Sequence, residues 1–177
     1  MDEYDGFVFD LDGTLVRLTV DWEAVASDVR TALLDRGITP PERLWDMLKT
    51  AEAHEERDVV ESIIESHEQE GARQSERLPA ADALPNRPIS VCSLNAESAC
   101  RIALAEHDLD HQVISVVGRD TVATEKPDPK PLLTAIEALG VHPSNTVFIG
   151  DGTRDEKTAE RAGVPFLYVS RFVRAYQ

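Results

Sequence analysis

Apolar residues recur along the chain in two rhythms, and the change between them divides the molecule. Residues 5–10, Asp-Gly-Phe-Val-Phe-Asp, form a short apolar run that predicts a buried strand ending on a carboxylate. Beyond Gly13 the spacing turns helical. Trp22, Val25, Val29 and Leu33 recur at three and four residues, with Asp21 placed to cap the helix and Gly37 to stop it. Pro40-Pro41 opens a second helix carrying Leu44, Leu48 and Ala51 on one stripe, and Val59, Val60, Ile63 and Ile64 mark a third. The segment 18–80 is therefore expected to hold helices and no strand, with Trp22, Trp45 and Met47 in their core. Its Glu-rich part around 52–70 reads as a solvated helix face.

Three prolines between 78 and 88 predict a loop. From there the rhythm alternates: strand 89–93, helix 96–106, strand 113–117, helix 132–139 ended by Gly140, strand 146–149, helix 155–162 ended by Gly163, and strand 166–169. Alternation of this kind builds a parallel sheet with right-handed crossovers and helices on both faces, here interrupted after its first strand by the helical block.

Composition narrows the class. The 177 residues suit one domain with a modest insertion, and 42% hydrophobic content is ample for a buried core. The apolar runs are too short to span a membrane, and Asp2, Glu3 and Asp5 stand where a signal peptide would be cationic, so a cytoplasmic protein is expected. Cys92 and Cys100 read as two buried thiols rather than a disulfide framework. The formal charge is -15, and Lys occurs only at 49, 126, 130 and 157. A field of that sign repels nucleic acid and anionic membranes and relaxes in concentrated salt, which points to a salt-adapted, halophilic cytoplasm.

In an open parallel sheet, ligands gather outside the carboxyl ends of the strands. The polar residues able to do chemistry fall there: Asp10 and Asp12 after the first strand, Ser93 at the end of the second, Lys126 in the loop after 113–117, and Asp151 and Asp155 after 146–149. Four carboxylates converging on one edge repel one another unless a cation sits among them, and an all-oxygen ligand set favours a hard ion such as Mg2+.

Asp10-Leu11-Asp12-Gly13-Thr14, Ser93, Lys126-Pro127 and Gly150-Asp151-Gly152-Thr153-Arg154-Asp155 resemble, in order, the four motifs of the haloacid dehalogenase-like (HAD) hydrolase superfamily, phosphoglycolate phosphatase-like branch. The resemblance implies an α/β fold: a Rossmann-like parallel sheet core (1–17 and 81–177) with helices on both faces and a small helical cap (18–80) inserted after the first strand. It implies a phosphatase acting on a small phosphorylated metabolite, such as phosphoglycolate, as a monomer or homodimer. A phosphosugar mutase, or an idle member binding a phospho-ligand or a protein, is the alternative. Asp10 would be the nucleophile and Asp12 the acid and base, a residue that phosphatases of the superfamily need and its dehalogenases do not. Lys126 would neutralise charge beside the phosphoryl group and Ser93 would donate to phosphate. Mg2+ would be held by Asp10, the backbone carbonyl of Asp12, Asp151 and, directly or through water, Asp155. Thr14 is expected to steady the first turn through its hydroxyl. One departure stands out: Leu94 separates Ser93 from Asn95, where the family places Asn directly after the hydroxyl residue, and Asn95 is a candidate cap for the next helix.

Overall fold

The computed structural model describes residues 3–176; Asp2 of the acidic N-terminal stretch lies outside them. Five parallel strands form the sheet: β1 (Gly6–Phe9), β4 (Ile89–Cys92), β5 (Val113–Val117), β6 (Thr146–Gly150) and β7 (Phe166–Tyr168), in the order β5-β4-β1-β6-β7. Because successive strand side chains point to opposite faces, the apolar runs serve two cores at once. Phe7, Phe9, Val91, Val147 and Ile149 pack on one side against α5 (Glu97–Glu106), α4 (Pro79–Asp82) and α8 (Val169–Tyr176). Val8, Cys92, Val117 and Phe148 pack on the other, under α6 (Lys130–Leu139) and α7 (Thr153–Ala162). This is the Rossmann-like α/β core that the alternation predicts.

Between β1 and β4 lie α1 (Trp22–Asp35), α2 (Leu44–Ala53) and α3 (Arg57–Arg73), which enclose an apolar cluster of their own around Val25, Val29, Leu33, Met47, Leu48 and Ile64. Asp21 caps α1 as its sequence position suggests, its carboxylate accepting the amides of Glu23 and Ala24. The chain leaves the sheet through β2 (Val16–Arg17) and returns through β3 (Glu76–Arg77), and these two pair antiparallel.

Several expectations are corrected here. The segment 18–80 does hold a strand, β3; two exposed charged residues carry no apolar signal, and they are extended because Val16 and Arg17 lie opposite. The proline-rich stretch contains the short helix α4, opened by Pro79, whose missing N–H costs nothing at that position. The last strand stops at Tyr168, and α8 follows it without a break. Trp22 and Trp45 are not core: they are 41% and 49% exposed, with ring centroids 6.1 Å apart, whereas Met47 is fully buried.

Both cysteines are free and buried, and burial pushes the Cys92 thiol up to about 12. No described helix is long and apolar enough to cross a membrane.

Candidate active site

The carboxyl ends of the five parallel strands lie at one edge, and the segments after four of them, β1, β4, β5 and β6, carry the candidate residues. Hydrogen bonding of β1 to β6 continues one step past the strand, Asp10 donating its amide to the Ile149 carbonyl at 2.8 Å, which brings the Asp10 side chain beside the β6 terminus. The chain then closes in a tight turn in which Leu11 accepts the amides of Thr14, Leu15 and Val16. Gly13 sits in this turn at φ +80°, and a Cβ there would strike the Asp151 carboxylate, with Cγ at 2.9 Å. Glycine is thus required twice, for its backbone angle and for the approach of the two acidic loops. The Thr14 hydroxyl, expected to steady the turn, is buried with no hydrogen-bond partner among the described residues; backbone bonds and the Asp12 carboxylate hold the turn instead.

Lys126 lies beneath these loops, 3% exposed. Its ammonium donates to Asp10 Oδ1 at 2.9 Å, Asp155 Oδ1 at 2.6 Å and the Cys92 carbonyl at 3.2 Å, so all three protons are placed. Its nitrogen stands 5.6 Å from the Phe148 ring centroid. Burial works against its charge, but Asp10 and Asp155 outweigh that and hold its pKa above the usual lysine range. Asp155 has two partners, one for each oxygen. Its Oδ2 accepts the Gly152 amide at 3.3 Å, capping α7, while its Oδ1 braces Lys126.

At Asp10 burial outweighs the help of the ammonium. Burial, opposed by Lys126 and aided by Asp155, raises its pKa to about 7. Asp12 is also raised, chiefly by burial, while the Leu18 amide holds its Oδ1 at 2.9 Å. Asp151, raised by burial and by Asp155, supplies a third carboxylate: ligand oxygens of Asp10, Asp151 and Asp155 lie within 4.8 Å of one another. An oxygen-only, net-anionic cluster of this size fits a hard divalent cation.

Ser93, 2% exposed, completes the edge and lines the same cavity of about 650 Å³ as Asp10, Asp12 and Lys126. The opposite wall belongs to the helical insertion, with Trp22, Trp45 and Leu48. Asn95 does not cap α5. Its side chain turns inward between Ser93 and Glu68, and the carboxylate of Asp120, from the loop after β5, accepts the Glu97 amide instead. Glu68 and Arg119 were not expected at this site. The available signal was that Glu68 extends the stripe Val60, Ile64 on an otherwise charged helix.

The family profile of haloacid dehalogenase-like hydrolases matches residues 82–169, the stretch carrying Ser93, Lys126, Asp151 and Asp155. The chain belongs to this family. Asp10 and Asp12 lie outside the matched stretch, but the sheet brings them to the same edge of this HAD-like hydrolase. A phosphoglycolate phosphatase of Rhodospirillum rubrum is 38% identical over 82 residues, which are 46% of this chain and 34% of that protein; the aligned stretch thus spans about a third of that relative. A Cereibacter sphaeroides phosphoglycolate phosphatase is 28% identical, with 91% of this chain and 83% of that protein aligned. Among solved structures, a Lactobacillus plantarum protein with a provisional phosphoglycolate phosphatase name superposes with a TM-score of 0.69 at 25% identity, covering 97% of this chain and 88% of that one.

Proposed function

We propose that this HAD-like hydrolase is a Mg2+-dependent phosphatase that hydrolyses a small phosphomonoester through an aspartyl-phosphate on Asp10. The observation that carries the reading is the buried Lys126, bridging Asp10 and Asp155 beneath a third carboxylate at a cavity mouth. A carboxylate attacking phosphorus needs its charge partly offset and its direction fixed, and Lys126 on Asp10 Oδ1 does both. The Asp10–phosphorus bond forms as the ester P–O bond breaks, and Asp12 hands its proton to the departing oxygen. Asp12, now a carboxylate, takes a proton from water, whose oxygen attacks phosphorus; the acyl-phosphate bond breaks and Asp10 is restored. The raised pKa of Asp12 favours the protonated form that the first step uses. Asp10, Asp151 and the Asp12 backbone carbonyl would hold Mg2+. Asp155, whose two oxygens already serve Lys126 and Gly152, would reach it through water. The bound ion supplies charge neutralisation for the phosphoryl oxygens.

The α1–α3 insertion is the cap in this reading, and it roofs the cavity with Trp22 and Trp45, the only two tryptophans in the chain. Phosphoglycolate, which names several relatives, is the first substrate to test, followed by sugar phosphates. Phosphate release with Mg2+ from at least one ester is expected, with quenched or shifted tryptophan emission on binding. Failure to hydrolyse any ester, with an emission change retained, identifies a binding protein instead. Interconversion of sugar-phosphate isomers without release identifies a mutase.

The acidic surface supports a halophilic setting. The unfolding midpoint is expected to climb as KCl approaches molar concentration, because screening relieves self-repulsion at a charge of -15. A flat or falling midpoint removes that part of the reading.

A further inference from the structure

Helix α3 buries a stripe of Val60, Ile64, Glu68, Gly71 and Ala72, so a carboxylate occupies a position where its neighbours are apolar. Glu68 is 1% exposed. It receives Arg119 through two nitrogens, Nη1 to Oε1 at 2.8 Å and Nη2 to Oε2 at 3.2 Å. It also accepts the Ala96 amide at 2.9 Å and Asn95 Nδ2 at 3.3 Å. Arg119 in turn donates Nη1 to the Leu94 carbonyl at 2.8 Å, its backbone amide to the Asn95 carbonyl at 2.9 Å, and Nε to Glu61 at 3.0 Å. The two residues therefore grip one segment, 94–96, from opposite sides: Glu68 takes its donors and Arg119 serves its carbonyls.

That segment begins immediately after Ser93. The Ser93 hydroxyl donates to Asn95 Oδ1 and accepts the Asn95 amide, both at 3.2 Å. Because Asn95 Nδ2 faces Glu68, its Oδ1 is obliged to face Ser93. The approach is close on the third side as well, since a Cβ on Gly118 would lie 2.8 Å from the Asn95 carbonyl oxygen. None of these contacts takes part in the proposed chemistry. A buried ion pair is in general no more stabilising than apolar residues of the same volume, so stability alone does not account for it.

We propose that Glu68 and Arg119 are positioning residues for phosphate recognition: the helical insertion reaches into the sheet edge and, through Asn95, fixes the turn that presents Ser93 to the phosphoryl group. The proposal rests on the phosphatase reading given above. It makes the insertion part of the phosphate site as well as its roof, and it explains how Leu94 can separate Ser93 from Asn95: the Asn95 amide holds the Ser93 oxygen in place, and Asn95 Oδ1 takes the hydroxyl proton until the hydroxyl turns to a bound phosphoryl group.

The test is inorganic phosphate binding in the presence of Mg2+, measured by titration calorimetry on the whole chain. The apolar pair swap Glu68→Leu/Arg119→Met keeps the volume filled but leaves the Ala96 amide and the Leu94 carbonyl unpaired, so its unfolding midpoint is expected to fall and its binding is read at a temperature where it is folded. Asn95→Ala leaves the ion pair intact and decides the matter alone if the pair swap does not fold. Each is expected to weaken phosphate binding about tenfold, comparable to Ser93→Ala, as for one hydrogen bond to a charged group. Combining Asn95→Ala with Ser93→Ala is expected to add less than twofold, because both act on one contact. Folded variants that bind phosphate within twofold of wild type, or losses that multiply in the combination, overturn the positioning role while the phosphatase reading stands. A wild type that binds no phosphate overturns both.

Discussion

Asp10→Asn is expected to abolish hydrolysis and, in metal-free protein at neutral pH, to raise stability. The first effect follows from the proposed mechanism, in which Asp10 supplies the atom that attacks phosphorus; losses of ~10⁴-fold or more in turnover accompany removal of a nucleophile. The second follows from the charge arrangement. Asp10 is 6% exposed and its folded pKa of about 7 lies above its ordinary 3.8, with burial the largest cause. A carboxyl group raised in this way binds its proton more tightly in the folded than in the unfolded chain. Its contribution is complete below the unfolded value and is lost as pH rises through the folded one. Wild-type protein in chelator should therefore fall behind Asp10→Asn progressively between pH 4 and 7 and hold a constant gap above that. The gap is at most about 4 kcal/mol at 1.36 kcal/mol per pKa unit. Added Mg2+ should close it by stabilising wild type far more than the variant, since only a carboxylate offers the ion a charged ligand. Thermal unfolding of both proteins across pH, with and without Mg2+, checks all three parts. Equal midpoints in chelator at pH 8 would remove the claim that burial penalises the Asp10 carboxylate despite Lys126.

Much of the site could be read before the fold, because strand ends in a parallel sheet are marked by short apolar runs. Phe7-Val8-Phe9 and Val147-Phe148-Ile149 are too short for helices and are bounded by Gly6 and Asp10 and by Thr146 and Gly150, so the aspartates that follow them are placed at one edge by topology alone. What could not be read were features created by tertiary neighbours. Glu68 has the composition of a solvated helix face, and only the arrival of Arg119, fifty-one residues later, makes its burial tolerable. β3 exists because β2 lies beside it. Trp22 and Trp45 were expected inside on hydrophobicity; they lie at the cavity wall, where large apolar surface has a use outside the core. Asn95 misled for a related reason: its type suits a helix cap, but Asp120 reaches the Glu97 amide from another loop and leaves it free to turn inward.

Lys126→Met should be the most damaging single substitution for stability at this edge, and its damage should depend on pH and on metal. Among the described residues the ammonium is the one cation bonded to Asp10 and Asp155, whose side chains are 9% and 4% exposed. Methionine fills much of the same volume, so packing around Phe148 is largely kept and the change is mainly one of charge. Removing one partner from a buried ionic cluster typically costs about 3–5 kcal/mol, because the remaining charge is left in low dielectric without compensation. Lys126 is also the largest influence lowering the Asp10 pKa, so its loss lets burial drive that group further up. The sign follows: the variant's deficit should be small in acid, where Asp10 keeps its proton, and should grow as pH rises through neutrality. Mg2+ should return part of the lost stability by replacing the missing positive charge, and Asp10→Asn/Lys126→Met should be more stable than Lys126→Met alone, a coupling that independent sites do not show. Turnover should fall by ~10²–10³-fold even in the Mg2+-rescued protein, since the proposed mechanism loses one fixed charge beside the phosphoryl group. A Lys126→Met protein with the same deficit at pH 5 and pH 8 would falsify the account of Lys126 as the counter-charge of the buried carboxylates.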